Sequence, residues 1–343
     1  MTRLRARSDD PLRKMTRKMV ELPWPGHVSR DISFPYGDLY ESIKFDALYR
    51  RQNEFKGDFV FHYTSAETFE KLISSEADLL LSRFNEMNDD EEVIYGWSQV
   101  LCFLEWTDGI QGLKLRLFRQ AFDYRMYHTS QVPWVVSFSE SPDSLSQWGM
   151  YTDRKLGGCS IAFDFRELNY AAERIQRGGS RDFDVFFLPC YYHHDDVRRI
   201  LELWFEGCRE VFGVIQKEEY KTVKSQRCEL IEPLMFDMLM LATIIKYPGF
   251  EAEREWRLII VPKHSESLEP VLLHGKYRYG INKCFSDRKP IYTMRWIRGV
   301  GASPHPKDSR SDRFWHLFDS FCAAGRRQWE TGAWQSEIPY NGR

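Results

Sequence analysis

The stretch EAEREWRLII (Glu251–Ile260) sets two carboxylates and a guanidinium, Glu253, Glu255 and Arg257, at alternate positions. Successive side chains of a strand point to opposite faces. That spacing gathers the three charges on one face and sends Trp256, Leu258 and Ile260 to the other, toward a core. Neighbouring carboxylates repel unless a cation lies close. Arg257 supplies one, and Lys246 can approach as a second. Such a face serves as an ion-paired strut or carries a catalytic carboxylate, and the alternation allows both.

Four further stretches carry side chains with chemistry. In FVFHYTSAETF (Phe59–Phe69) a strand signal delivers His62 and Thr64 on one face and Tyr63 on the other, directly before a helix that Thr64 or Ser65 can cap. His62 is either a ligand contact or a buried imidazole bonded to backbone. In SRFNEMNDDEE (Ser82–Glu92) Asn88, Asp89, Asp90, Glu91 and Glu92 precede a helix. Acidic residues suit a helix N-terminus, and hard oxygen ligands also suit a divalent metal. In PWVVSFSESPDSLSQWGMY (Pro133–Tyr151) Ser137 and Ser139 share a strand face opposite Val136 and Phe138, and Trp148 and Tyr151 share a helix side. CYYHHDDV (Cys190–Val197) groups a Cys with two His but has no second cluster to complete a zinc tetrahedron. Asp195 there reads as the N-cap of a long helix.

Around these stretches the strand signals are FVFHYT, DLLLS, Pro133–Ser139, Gly158–Phe165, Asp184–Tyr192, Glu255–Pro262 and Thr293–Ser303. Helical periodicity fits Ala66–Ser75, Glu91–Glu105, Leu113–Arg125, Asp143–Tyr151, Asp195–Lys221, Cys228–Lys246 and Ser309–Ala324. The order is neither a clean βαβ series nor all-β. It predicts an α+β fold with a mixed, largely antiparallel central sheet flanked by helices. Residues 1–55 read as a basic arm with a short helix, residues 56–305 as the main domain with a helical insertion at about 194–246, and residues 306–343 as a C-terminal helix and tail.

The chain has 343 residues, a formal charge of −2, 43% hydrophobic and 29% charged residues, and an aromatic share of 15%. The near-neutral balance provides no overall field to steer nucleic acid or an anionic membrane. The arm, with Arg3, Arg5, Arg7, Arg13, Lys14, Arg17 and Lys18, is the one place for weak nucleic-acid contact. Seven scattered Cys with no C-x-x-C pair fit a reducing cytoplasm. The most apolar run, Leu234–Ile245, is too short to span a bilayer and carries Asp237.

Taken in order, these motifs resemble those of bacterial proteins grouped as domain of unknown function 2971. The carrying residues are His62-Tyr63-Thr64, Asn88-Asp89-x-x-Glu92, Ser137-Phe138-Ser139, Trp148-x-x-Tyr151, Gly158 leading into Ile161–Asp164, and Glu253-x-Glu255-Trp256-Arg257. They run from about Asp58 to Pro262. Asp90 stands where the resemblance leads one to expect proline. The motif order is also similar to an ADP-ribosyltransferase-type site. That likeness implies an ADP-ribosyltransferase-like fold and NAD as the substrate, with no metal required. It makes Glu255 the carboxylate that stabilises the ribosyl cation, with Glu253 and His62 in support. His62, Tyr63, Thr64, Ser137, Trp148 and Tyr151 would then contact the dinucleotide. A bacterial toxin or defence effector would fit that class, its acceptor being protein, nucleic acid, a small molecule or water. Two other readings stand beside it. One is a metal-dependent nuclease or phosphodiesterase using Asn88, Asp89, Glu92, Glu253 and Glu255. The other is a non-enzymatic nucleotide-binding module.

Overall fold

The computed structural model describes residues 57–73, 79–87, 90–107, 132–151, 158–178, 183–209, 212, 224–262, 271–273, 276–280, 297–303, 316 and 332–336. The basic arm and its short helix, the helix expected over Leu113–Arg125, Asn88, Asp89 and most of the C-terminal helix lie outside the described residues.

The chain folds as α+β, with a mostly antiparallel open sheet flanked by helices. In order come β1 (Phe59–Ser65), α1 (Ala66–Ile73), β2 (Leu80–Arg83), α2 (Asp90–Trp106), β3 (Trp134–Ser139), α3 (Leu145–Tyr151) and β4 (Gly158–Asp164). They are followed by α4 (Phe165–Gly178), β5 (Phe183–Pro189), α5 (His194–Gly207), α6 (Lys224–Ile244) and β6 (Glu255–Pro262). The short strands β7 (Val271–Leu273), β8 (Lys276–Gly280), β9 (Ile297–Ala302) and β10 (Gly332–Gln335) complete the sheet.

Strand β3 is the hinge of the topology. Along one edge it pairs with β6 over its whole length, from Trp134↔Ile260 to Ser139↔Glu255, and β5 continues the sheet beyond β6. Its other edge is shared: β2 takes Trp134 and Val135, while β1 meets it only at Phe61↔Ser139. The two neighbours diverge from a common strand and leave a notch beside Ser137. Every pairing between these strands is antiparallel except β9 with β10.

Both faces of β6 are buried. One carries Trp256, Leu258 and Ile260 into an aromatic-rich core with Phe138, Phe163 and Phe187, roofed by α1 and α4. Beyond Glu255 and Arg257, the other carries Ile259 and Val261 into a second core under α2, α5 and α6. From Leu234 onward α6 is buried all round, as a run that is apolar apart from Asp237 and Thr243 requires.

Helix α4 was not expected from the sequence. It begins without a loop, because the Asp164 side chain that ends β4 accepts the Glu167 N–H at 3.0 Å and caps the helix. Ser65 does the same for α1, accepting from the Thr68 N–H at 3.1 Å, as expected. Asp195 does not cap α5. The helix starts at His194, which puts Asp195 in its first turn, where a carboxylate favours the dipole.

Candidate active site

Where β6 begins, five charged side chains meet out of water: Glu92, Lys246, Glu253, Glu255 and Arg257, none more than 6% exposed. Four segments deliver them. Arg257 and Glu255 alternate on β6 as the spacing predicts. Glu253 is not on the strand. It ends a 3-10 turn, Pro248–Glu253, and Arg254 between the two glutamates adopts the left-handed conformation (φ 42°, ψ 55°). Among the described residues it is the only non-glycine residue with positive φ, a conformation costing roughly 1–2 kcal/mol. The bend folds Glu253 back, so both glutamates reach the same ammonium. Ser139 fixes the bend by donating to the Glu253 carbonyl at 2.7 Å, and the Glu140 N–H donates to the Arg254 carbonyl at 3.1 Å.

Lys246 lies just past the end of α6. Its N–H donates to the Tyr191 carbonyl at 2.9 Å, while the Tyr191 N–H donates to the Ile244 carbonyl at 2.7 Å, so the backbone is pinned beside β5. Its ammonium bonds to Glu253 Oε2 at 2.5 Å and to Glu255 Oε2, and sits 3.3 Å from Glu92 Oε1. Arg257 donates through Nε to Glu255 Oε1 at 2.8 Å, through Nη1 to the Thr243 carbonyl, and through Nη2 to Glu92. Glu92 arrives on α2, and Gly96 one turn later makes that possible. A Cβ at Gly96 would run into the Ala242 carbonyl oxygen. Only glycine lets α2 lie this close to α6.

The two glutamates occupy different electrostatic settings. Burial pushes the Glu255 carboxyl up, but Arg257 and Lys246 outweigh it and hold the group well below the usual carboxylate range. Both of its oxygens accept hydrogen bonds, and its N–H donates to the Tyr192 hydroxyl at 2.9 Å. Burial also pushes Glu253 up. Lys246, its one cation among the described residues, does not offset that, so its proton affinity stays raised. Tyr151 is half-buried beside the cluster, and burial followed by the Glu255 charge raises its phenol.

The structure does not bring His62 to the carboxylates. Phe61, Ser139 and Glu255 face one another across β1, β3 and β6, so the neighbouring His62 points to the opposite side, near Phe138. There its Nδ1 lies 2.9 Å from the Ser137 carbonyl, which can only accept; the ring therefore donates into the notch between β1 and β2. Burial lowers its pKa despite that bond. Thr64 shares the His62 face, opposite Cys159. Ser137 shares the Arg257 face.

Tyr63 and Trp148 lie on the glutamate side but serve each other. Their rings meet edge-on at 4.6 Å, the Tyr63 hydroxyl donates to the Ser141 carbonyl at 2.8 Å, and Trp148 Nε1 donates to Asp143 at 2.6 Å. Of the aromatic residues singled out in the sequence, Tyr151 alone stands against the charge cluster. Lys246 approaches the two glutamates as the sequence allowed; reading the sequence missed Glu92 as a partner of Arg257 and of Lys246, and Gly96. A glycine inside a strong helical pattern was the available signal for the last.

Comparison with protein-family models, curated proteins and solved structures finds no match to the chain. Among the described residues no helix is long and apolar enough to cross a membrane.

Proposed function

We propose that the chain is an NAD-consuming ADP-ribosyl transferase or NAD glycohydrolase. The observation that carries the reading is the pair of glutamates whose surroundings push their proton affinities apart, Glu255 down and Glu253 up, at one buried strand end. Paired carboxylates separated in this way divide electrostatic and proton-transfer work between them.

In this reading the bond between ribose C1′ and the nicotinamide nitrogen breaks. Its electron pair leaves with nicotinamide, which becomes neutral, and positive charge develops on the ribose. A carboxylate that stays ionised opposes that charge most effectively in a dry, preorganised site. Glu255 is the fixed anion. The acceptor hydroxyl or water then attacks C1′, and its proton passes to Glu253, whose raised proton affinity suits a base. Tyr151 is the ring placed to border the reacting groups. His62, on the far face, stays outside the reacting centre, and Tyr63 and Trp148 support the wall on which Tyr151 stands. The ADP-ribosyltransferase-like fold belongs to the same proposal, supported by a sheet whose strands diverge from β3.

The test is incubation of the full chain with NAD and candidate acceptors, with and without a chelator, measuring released nicotinamide. Release indifferent to the chelator is expected. No release with any acceptor, or release abolished by the chelator, would sink this reading.

A further inference from the structure

We infer that Lys246 is the resident cation of a carboxylate cage, filling with its ammonium the place that a small free cation would otherwise occupy. Three carboxylates from three separate segments converge on this one nitrogen: Glu92 from α2, Glu253 from the turn and Glu255 from β6. Such convergence of hard oxygen donors on one point is the arrangement that holds a calcium or magnesium ion. Among the described residues no group of three or more His, Cys, Asp or Glu side chains is arranged to hold a metal ion.

The surroundings are built for a fixed charge rather than a mobile one. The lysine backbone is pinned on both sides through Tyr191, and the ammonium lies 5.2 Å from the Phe250 ring centroid, within cation–π range. Arg257 cannot replace it: among the described residues its guanidinium is spent on Glu92, Glu255 and the Thr243 carbonyl and does not bond to Glu253. Removing the Lys246 charge therefore leaves Glu253 with no cation among the described residues and the whole cage one positive charge short. Burial alone works against the ammonium, but the glutamates, Glu255 foremost, hold its proton more tightly than an ordinary lysine does. The inference rests on cage geometry and not on the NAD reading, and its test reads stability.

Lys246→Ala removes the ammonium and opens space for a substitute. The expected result is a lower melting temperature that methylammonium chloride raises, while tetramethylammonium chloride at equal ionic strength does not, because it has no N–H to donate. Calcium chloride is the second arm, and stabilisation of the variant but not the parent by either cation supports the inference. At about ten times its dissociation constant, the bound cation should raise the folded-to-unfolded ratio roughly tenfold. A variant as stable as the parent, or one that no cation rescues, overturns it. Should Lys246→Ala fail to fold, side-chain nitrogen NMR of the parent decides. A Lys246 Nζ signal that keeps its protons well above the ordinary lysine titration near pH 10.4 supports the resident cation. Titration there overturns it.

Discussion

Glu255 and Asp237 are almost equally hidden from water, at 3% and 2% exposure, yet they hold protons in opposite ways. Glu255 sits between Lys246 and Arg257 and stays ionised. Asp237, inside α6, has only the Trp204 indole N–H at 3.1 Å and the Cys208 thiol at 3.8 Å, both on Oδ2, and its Oδ1 has no partner among the described residues. Burial pushes its carboxyl up to about 7, against those two weak donors. The difference between the two environments is the presence of cations. Burial alone neutralises a carboxylate; burial with a guanidinium and an ammonium fixes its charge.

Breaking the charged side should have the largest effect. Arg257→Met leaves Glu92 and Glu255 without their guanidinium, and removing one partner from a buried ion group typically costs about 3–5 kcal/mol. Urea denaturation should show a loss of that size. A loss under about 1 kcal/mol would mean that the cluster does not hold the sheet end to the helices.

Asp237 gives the next largest effect, and its sign is opposite to that of a paired carboxylate. The folded chain keeps a proton there that the unfolded chain releases above about pH 4. Its contribution to stability is therefore greatest in acid and falls as pH rises from about 4 to about 7. The loss over that span is on the order of 2–4 kcal/mol. Asp237→Asn should flatten this slope and be more stable than the parent above pH 7. For Glu255 the contribution is present above its unfolded pKa near 4.5 and disappears only in strong acid, as pH falls through its depressed folded value.

Gly96→Ala tests how Glu92 is delivered. The added methyl meets backbone, so α2 must move off α6, and overpacking of that kind costs about 1–3 kcal/mol. Melting curves should show it, while an alanine at the open Gly207 should leave stability unharmed. Least affected should be the exposed pair His193–Glu251, at 2.8 Å but with both side chains more than half exposed. His193→Ala should change stability by no more than about 0.5 kcal/mol.

How much of this was legible depended on whether the determining contact was local. Alternation along β6 foretold that Glu255 and Arg257 oppose Trp256 and Leu258, because a strand buried on both faces writes its geometry into its own sequence. Capping by Ser65 was equally local. The partner of Arg257 was not, because Glu92 lies 165 residues away and its own surroundings read as an acidic helix start. His62 shows the same limit. Its residue type suggested a site, but its face relative to Glu255 hangs on one pair, Phe61↔Ser139. Strands β7, β8 and β10 are short, and β7 and β10 end the strand order, so their runs carry little of the periodicity that marks a central strand. Asp237 looked like an obstacle to a membrane span; that it sits without a cation among the described residues is a property of packing.

Glu253→Gln is the measurement that separates a working site from a strut. Glu255→Gln cannot do so, because losing that charge should destabilise the cluster whether or not it has a catalytic role. Among the described residues Glu253 has a single cation partner, and its proton affinity is raised, so neutralising it costs the fold little. Nicotinamide release from NAD and the melting temperature should be measured on the same preparation of Glu253→Gln and of the parent. The account predicts a melting temperature close to that of the parent and a turnover about a hundredfold lower, roughly 2.7 kcal/mol of transition-state stabilisation. A folded Glu253→Gln that consumes NAD as fast as an active parent would contradict it.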